Sequence, residues 1–208
     1  MAKPGDFFVG IIDLFAVFLP GGMLTFVIYH EYKSFFLDIA SLNGSQYWVA
    51  FLFCSYFLGH IIFMIGSKLD TLYNCHREKR NPYTNESAFQ CASKIKHNFF
   101  SGGEIESVNT YQWSTSILAT FYPEAMVEIN RLVADSKFFR SLVVILPFIS
   151  FVFLCNSHYL QAGIFLTLIV PCYLRYYERR LKSTTRAYQY IIMLQGLGKL
   201  VPPNNAIK

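Results

Sequence analysis

The stretch Tyr47–Gly66, YWVAFLFCSYFLGHIIFMIG, contains no Asp, Glu, Lys or Arg and has the length of a membrane-crossing helix. A helix needs roughly 20 residues to cross about 30 Å of hydrocarbon. Because lipid offers the backbone no hydrogen-bond partners, a chain inside a bilayer must satisfy its own amides, and a helix does so. The stretch therefore predicts a transmembrane helix.

Three further apolar stretches extend the prediction to four spans. Residues 7–29 precede Tyr47–Gly66, and residues 141–155 and 160–177 follow it. The chain is 53% hydrophobic and 15% charged, whereas an ordinary soluble domain carries about 25% charged residues. The N-terminus shows no cleavage pattern, so we expect residues 7–29 to remain as a span. The fold class expected is an all-α polytopic membrane protein.

The positive charges predict the orientation of these spans. With four crossings, all 18 Lys and Arg residues except Lys33 fall on one side. The positive-inside rule then places both termini and the segment between spans two and three in the cytoplasm. We therefore expect an integral membrane protein with both termini in the cytoplasm. A rival topology stays open, because residues 141–174 could form a re-entrant hairpin bent at Pro147 and Pro171.

This topology divides the chain into four regions. They are a first transmembrane hairpin (1–66), a helical cytoplasmic module (67–140), a second transmembrane hairpin (141–177) and a basic cytoplasmic tail (178–208). Within the module, apolar spacing predicts a helix over 84–100 with Thr84 as its cap, while 110–121 fits a strand or a helix.

One unbroken helix is predicted from Pro123 to the end of the third span at residue 155. Such a helix is ~50 Å long at 1.5 Å per residue and would project from the bilayer as a stalk. A projecting stalk favours assembly, so we expect a homo-oligomer.

A basic helix is predicted over roughly 174–195, ending at the glycines of 196–198. Its cations lie directly after a span, where an anionic inner leaflet attracts each by about 1 kcal/mol. They are Arg175, Arg179, Arg180, Lys182 and Arg186. The lipid bilayer is therefore the expected partner of this helix, and direct nucleic-acid binding is not expected.

Two polar features lie inside the predicted spans. Asp13 and His60 each lie six residues from the cytoplasmic end of a span, about 9 Å deep at helical rise. Ionisable groups at that depth mark structural pairs, proton paths or ion paths. Pro20, Gly21 and Gly22 form a candidate helix break, which indicates either a packing kink or a substrate site of the kind found in transporters.

Candidate metal ligands are present, but their spacing is unlike that of known zinc sites. Cys75 and His76 are adjacent, and Cys91 and His97 follow far along the chain, whereas zinc fingers space their ligands in short pairs. Cys91 and His97 lack the third group that marks a nucleophilic site. We therefore expect neither a cofactor nor an enzyme.

The order of spans, central module and basic tail resembles the small four-span membrane subunits of bacterial anti-phage systems of the Kiwa type. The resemblance is one of architecture over the whole chain. It implies a homo-oligomer in a bacterial inner membrane that senses membrane perturbation during infection and works with a soluble cytoplasmic protein. Two alternatives stay open: a small channel or transporter that uses Asp13 and His60, and a membrane-embedded enzyme that uses Cys91, His97 or the glutamates of the central segment. These glutamates are Glu104, Glu106, Glu124 and Glu128.

Overall fold

The computed structural model describes residues 4–32, 44–80, 86–100 and 108–200, with side chains from residue 16 onward except that of residue 80. These residues form six α-helices and no strand, which confirms the all-α prediction. The helices are α1 (Pro4–Glu31), α2 (Gly44–Arg80), α3 (Ser87–Phe99), α4 (Thr110–Phe121), α5 (Pro123–Cys155) and α6 (Tyr159–Gly196).

Two helices are long and apolar enough to cross a membrane. They are α2 over Gly44–Lys79 and α5 over its full length. Only 22% of the apolar window of α2 is buried within the protein, and 44% of that of α5. A helix at the core of a soluble protein would bury most of such a window. Among the described residues the other two predicted spans do not meet the same requirement of length and hydropathy.

Some helices have the bounds predicted from the sequence, and others extend beyond them. Helix α5 has the predicted bounds, and residues 110–121 are helical, with the Asn109 side chain accepting a hydrogen bond from the Tyr111 amide at 2.8 Å. The predicted fourth span and the basic helix form one helix, α6. The predicted cap Thr84 lies outside the described residues, and Glu86 occupies the N-cap position of α3.

Two left-handed residues end the long helices α5 and α6. Ser157 (φ 62°) follows α5, where the His158 amide donates to the Phe153 carbonyl at 2.8 Å. Gly198 (φ +66°) follows α6, where the Lys199 amide donates to the Leu194 carbonyl at 3.1 Å. Both are Schellman endings, which satisfy the last carbonyls of a helix. The predicted end of the basic helix at residues 196–198 is thereby confirmed.

The chain divides into two compact units. Unit 1 contains the described residues up to 72 together with 134–178, and unit 2 contains those of 73–133 together with 179–200. Helices α2, α5 and α6 each contribute residues to both units. In unit 1 a small apolar core joins four helices: Leu24 of α1, Ile62 of α2, and Val144, Ile145 and Ile149 of α5, with Phe165 of α6 packed against them.

Unit 1 has an apolar exterior. On each of its four helices, large apolar side chains are exposed to the surroundings of the chain. Examples are Phe26 on α1, Phe53 on α2, Phe151 on α5 and Leu160 on α6, exposed by 59%, 70%, 64% and 78%. The apolar residues of these helices therefore form much of the exposed surface of unit 1 as well as its core.

Unit 2 has the core of an ordinary small helical domain. Its buried residues come from α4, α5, α6 and the segment after α6, and partly buried residues of α3 pack against them. The core consists of Trp113, Leu118, Ile129, Ala187, Ile191, Leu194 and Leu200. Phe99 of α3 meets Trp113 edge-on, with ring centroids 5.9 Å apart.

Candidate functional site

Three side chains from three helices of unit 1 meet in what we term the polar clamp: Asp70 of α2, Arg140 of α5 and Tyr176 of α6. Arg140 Nη1 donates to Asp70 Oδ2 at 2.5 Å. The Tyr176 hydroxyl donates to Asp70 Oδ1 at 2.7 Å. Both oxygens of one carboxylate are thus bound, each by a different helix.

The clamp is largely shielded from solvent. Tyr176 is fully buried, and the side chains of Arg140 and Asp70 are 7% and 28% exposed. The Arg140 guanidinium lies over the Phe63 ring, 4.6 Å from its centroid, so an aromatic face covers part of the charge. Gly66 of α2 lies beside it, and an added Cβ there would meet Arg140 Nε at 3.4 Å, an ordinary van der Waals distance.

The burial of Asp70 and Arg140 determines how much free energy is lost when one of them is removed. Breaking a buried ion pair by removing one partner costs about 3–5 kcal/mol, because the other charge is left without compensation. Asp70 is partly exposed and can rehydrate, whereas Arg140 cannot. The clamp therefore fixes α2, α5 and α6 to one another close in sequence to the points where each helix passes from unit 1 to unit 2.

A second carboxylate plays the same part within unit 2. Glu86 Oε2 accepts from Arg77 Nη2 of α2 at 2.5 Å, and Glu86 Oε1 accepts from Thr185 Oγ1 of α6 at 2.7 Å. Arg77 is 3% exposed. Because Glu86 is also the N-cap residue of α3, it joins the start of α3 to two long helices.

A third polar group links α5 and α6 at the surface of unit 2. The Tyr190 hydroxyl donates to Glu128, and Arg186 Nε lies 3.8 Å from the same carboxylate. The bond to Glu128 is the main cause of a raised pKa of Tyr190, because the carboxylate disfavours a phenolate beside it. Partial burial adds to the shift, and Arg186 opposes it.

The predicted helix break forms a close helix contact within an unbroken helix. Helix α1 continues through Pro20, Gly21 and Gly22. A Cβ on Gly21 would lie 1.9 Å from the Ser55 carbonyl oxygen of α2, and one on Gly59 of α2 would lie 2.3 Å from the Val17 carbonyl oxygen. These glycines let the two backbones touch, as small residues do between membrane helices. Gly22 is turned away, with its nearest contact at 3.8 Å.

The predicted intramembrane pair of Asp13 and His60 is described only in part. His60 is exposed and meets the Tyr56 ring edge-on, with ring centroids 4.5 Å apart. Asp13 lies on α1 one turn before Val17, and its side chain is outside the described part of the structure. The pairing of the two stays a prediction.

The four candidate metal ligands are all exposed: Cys75, His76, Cys91 and His97. Among the described residues no three His, Cys, Asp or Glu side chains lie close enough to hold an ion. The structure therefore does not gather these four side chains into a site.

The predicted row of cations is distributed along α6 and engages carboxylates on the protein. Arg175 Nη1 pairs with Glu178 at 2.8 Å, one turn further along α6. Arg186 faces Glu128, and Arg179, Arg180 and Lys182 lie between these two pairs in sequence. Attraction of this row to a lipid surface stays a prediction.

The polar clamp was missed from the sequence. From the sequence, Arg140 is one of the positive charges between spans two and three, and Tyr176 is one residue of the predicted span 160–177. The sequence does contain a signal. Asp70 and Arg140 carry opposite charges, and each lies just beyond the predicted cytoplasmic end of a span, so the two are expected at similar depth. Opposite charges at matched depth on neighbouring helices favour an ion pair.

Comparisons of the chain with protein-family models, with curated proteins and with solved structures found no match.

Proposed function

We propose that the chain is a non-enzymatic, four-span protein of a bacterial inner membrane that couples the state of the bilayer to a soluble cytoplasmic protein. In this proposal unit 1 lies in the bilayer, and unit 2 lies in the cytoplasm together with both chain termini. The observation that carries it is the continuity of α2, α5 and α6, which supply both the apolar exterior of unit 1 and part of unit 2.

The apolar exterior supports four crossings. Exposed large apolar residues occur on all four helices of unit 1, including α1 and the first part of α6. In water such a surface would drive aggregation, whereas in lipid it costs nothing. The tight turn at Ser157, between α5 and α6, suits two antiparallel crossings joined at the outer face.

The polar clamp supports coupling between the bilayer and unit 2. A change in tilt or separation of the spans is a movement of α2, α5 and α6, and the clamp makes the three move together. Packed helices that cannot deform continuously pass such shifts on as discrete rearrangements. The same helices carry Arg77, Glu128 and Thr185, which hold the polar contacts of unit 2.

The proposal includes a homo-oligomer and a soluble protein partner. The long α5 favours assembly, and the resemblance to Kiwa-type membrane subunits adds the expectation that the partner is a defence effector. The test is the native mass of the purified full chain, alone and co-expressed with the product of its neighbouring gene. A discrete oligomer that binds this product is expected. A monomer that binds nothing would contradict the proposal.

The native cysteines provide a test of the topology. Cys155 lies at the end of α5 beside the predicted outer turn, and Cys75 lies in unit 2; both are exposed. In variants that keep only one of them, we expect a membrane-impermeant maleimide to label Cys155 in spheroplasts and Cys75 only after lysis. A re-entrant hairpin over 141–174 predicts no outside labelling of Cys155, so that result would exclude the full crossing.

A further inference from the structure

A cavity of about 130 Å³ lies between α1 and α2 in unit 1. Its lining is almost wholly apolar, and the hydroxyls of tyrosine and threonine are its few polar groups. From α1 come Thr25, Ile28 and Tyr29, and from α2 come Tyr47, Ala50, Phe51, Cys54 and Leu58. Nothing in the polar clamp or the glycine contact uses this space.

The geometry of the two helices explains why the cavity exists. At Gly21 and Gly59 the backbones touch, so neither helix carries a side chain between them there. One turn further along α1, from Thr25 onward, side chains of both helices line the space between them. At the far end the rings of Tyr29 and Tyr47 meet with centroids 5.3 Å apart. The space is thus bounded by a backbone contact at one end and by an aromatic pair at the other.

The cavity opens to the apolar exterior of unit 1. One of its lining residues, Cys54, is exposed, and on either side of it along α2 Phe53 and Phe57 are exposed by 70% and 58%. A water-filled opening would need polar partners for the water, and this lining supplies few. An apolar chain that reaches the opening from the side meets mostly apolar atoms.

We propose that this cavity binds an acyl chain of a bilayer lipid. The inference rests on the proposed placement of unit 1 in the membrane. Occupancy of the cavity by a lipid chain is then the bilayer property to which the protein responds. A chain between α1 and α2 contacts α2 directly through lining residues such as Phe51 and Cys54. Occupancy therefore acts on one of the three helices that continue into unit 2.

The test uses the full-length protein in phosphatidylcholine vesicles that contain a small fraction of phosphatidylcholine with a diazirine in one acyl chain. After irradiation, adducts are mapped by mass spectrometry. The Ala50→Trp variant fills the cavity, and Ala50→Leu is a smaller filling that serves if the tryptophan variant does not fold. Gly163→Trp is the matched control, because an added Cβ at that position on α6 meets nothing within 4 Å.

We expect adducts at Phe51 and Cys54 in the unmodified protein and in Gly163→Trp. Filling the cavity is expected to reduce them about tenfold, because an occluded site loses the contacts that hold the chain. Adducts on the outward face of α6 should not change. Adducts at Phe51 and Cys54 that persist in both Ala50 variants would overturn the acyl-chain site while leaving the membrane placement intact. Absence of adducts on every helix of unit 1 would overturn both.

Discussion

Unit 1 and unit 2 share three helices, yet these helices are held together in different ways. In unit 1 all four helices expose large apolar side chains, and besides a small apolar core they approach through glycines and the ion pair of Asp70 with Arg140. In unit 2 an apolar core surrounds Trp113, and charged groups such as Glu128 and Arg186 lie at the surface. Backbone contact therefore joins α2 to α1 in unit 1, whereas α5 and α6 pack around an apolar core in unit 2.

The difference is the one expected if, as proposed, unit 1 lies in lipid and unit 2 in water. In water, burial of apolar surface holds helices together, and unit 2 has the core that this requires. In lipid the outside is as apolar as the inside, so close backbone contact and polar pairs must take over. Unit 1 has both, in the Gly21–Gly59 contact and in the polar clamp.

The largest expected effect comes from the glycine contact. Gly21→Ala places a methyl group against the backbone of α2, which cannot yield as a side chain could. We expect it to lower the free energy of unfolding by about 3 kcal/mol or more, measured by reversible unfolding in mixed micelles followed by circular dichroism. Gly22→Ala makes the same chemical change where the nearest atom is 3.8 Å away and should be close to neutral. Equal effects of the two variants would show that the backbones do not touch at Gly21.

A smaller effect is expected at the polar clamp. Asp70→Asn leaves Arg140 buried without a counter-charge, which we expect to cost about 2–3 kcal/mol after allowance for the partial exposure of Asp70. Arg140→Met should cost less, because Asp70 can rehydrate. The double variant with Asp70→Asn and Arg140→Met should be more stable than Asp70→Asn alone. Additive losses in this double-mutant cycle would show that the two side chains do not act as a pair.

The smallest effect concerns Tyr190 in unit 2. Because the fold raises the pKa of Tyr190 above 10.0, the unfolded phenol loses its proton first as pH rises. The free energy of unfolding should therefore fall between pH 10 and the higher folded pKa, by about 1 kcal/mol. Unfolding of the parent and of Tyr190→Phe is measured from pH 8 to 11, and the variant should lack this part of the decline. Identical pH profiles would contradict the Tyr190–Glu128 bond.

The long elements of the fold were predictable because hydrophobic patterns reveal helices over long windows. Helix α5 and the end of α6 followed from an unbroken pattern and from the glycines after it. The extension of α2 to Arg80 was not predictable, because its last turns change from apolar to charged while the backbone stays helical. Apolar runs predict where a span would begin and end, and helices continue beyond them.

The polar clamp was harder to predict because its three members come from helices far apart in sequence. Asp70 and Tyr176 are separated by 106 positions, and no local pattern specifies which faces of α2 and α6 meet. Asp13 and His60 were conspicuous because ionisable groups inside apolar runs are rare. Asp70 and Arg140 lie at the ends of such runs, where charges are common, so their positions in the sequence do not indicate a polar site.

The most direct test of whether unit 1 lies in lipid and unit 2 in water uses the two tryptophans of the chain, one in each unit. Trp48 of α2 is 61% exposed on the apolar exterior of unit 1, and Trp113 is 3% exposed in the core of unit 2. Trp113→Phe and Trp48→Phe leave each as the sole fluorophore in vesicles of brominated phosphatidylcholine. We predict strong quenching of Trp48 and little quenching of Trp113. Equal quenching of both, or quenching of Trp48 by aqueous iodide in place of the brominated lipid, would contradict the placement of unit 1 in the bilayer and unit 2 outside it.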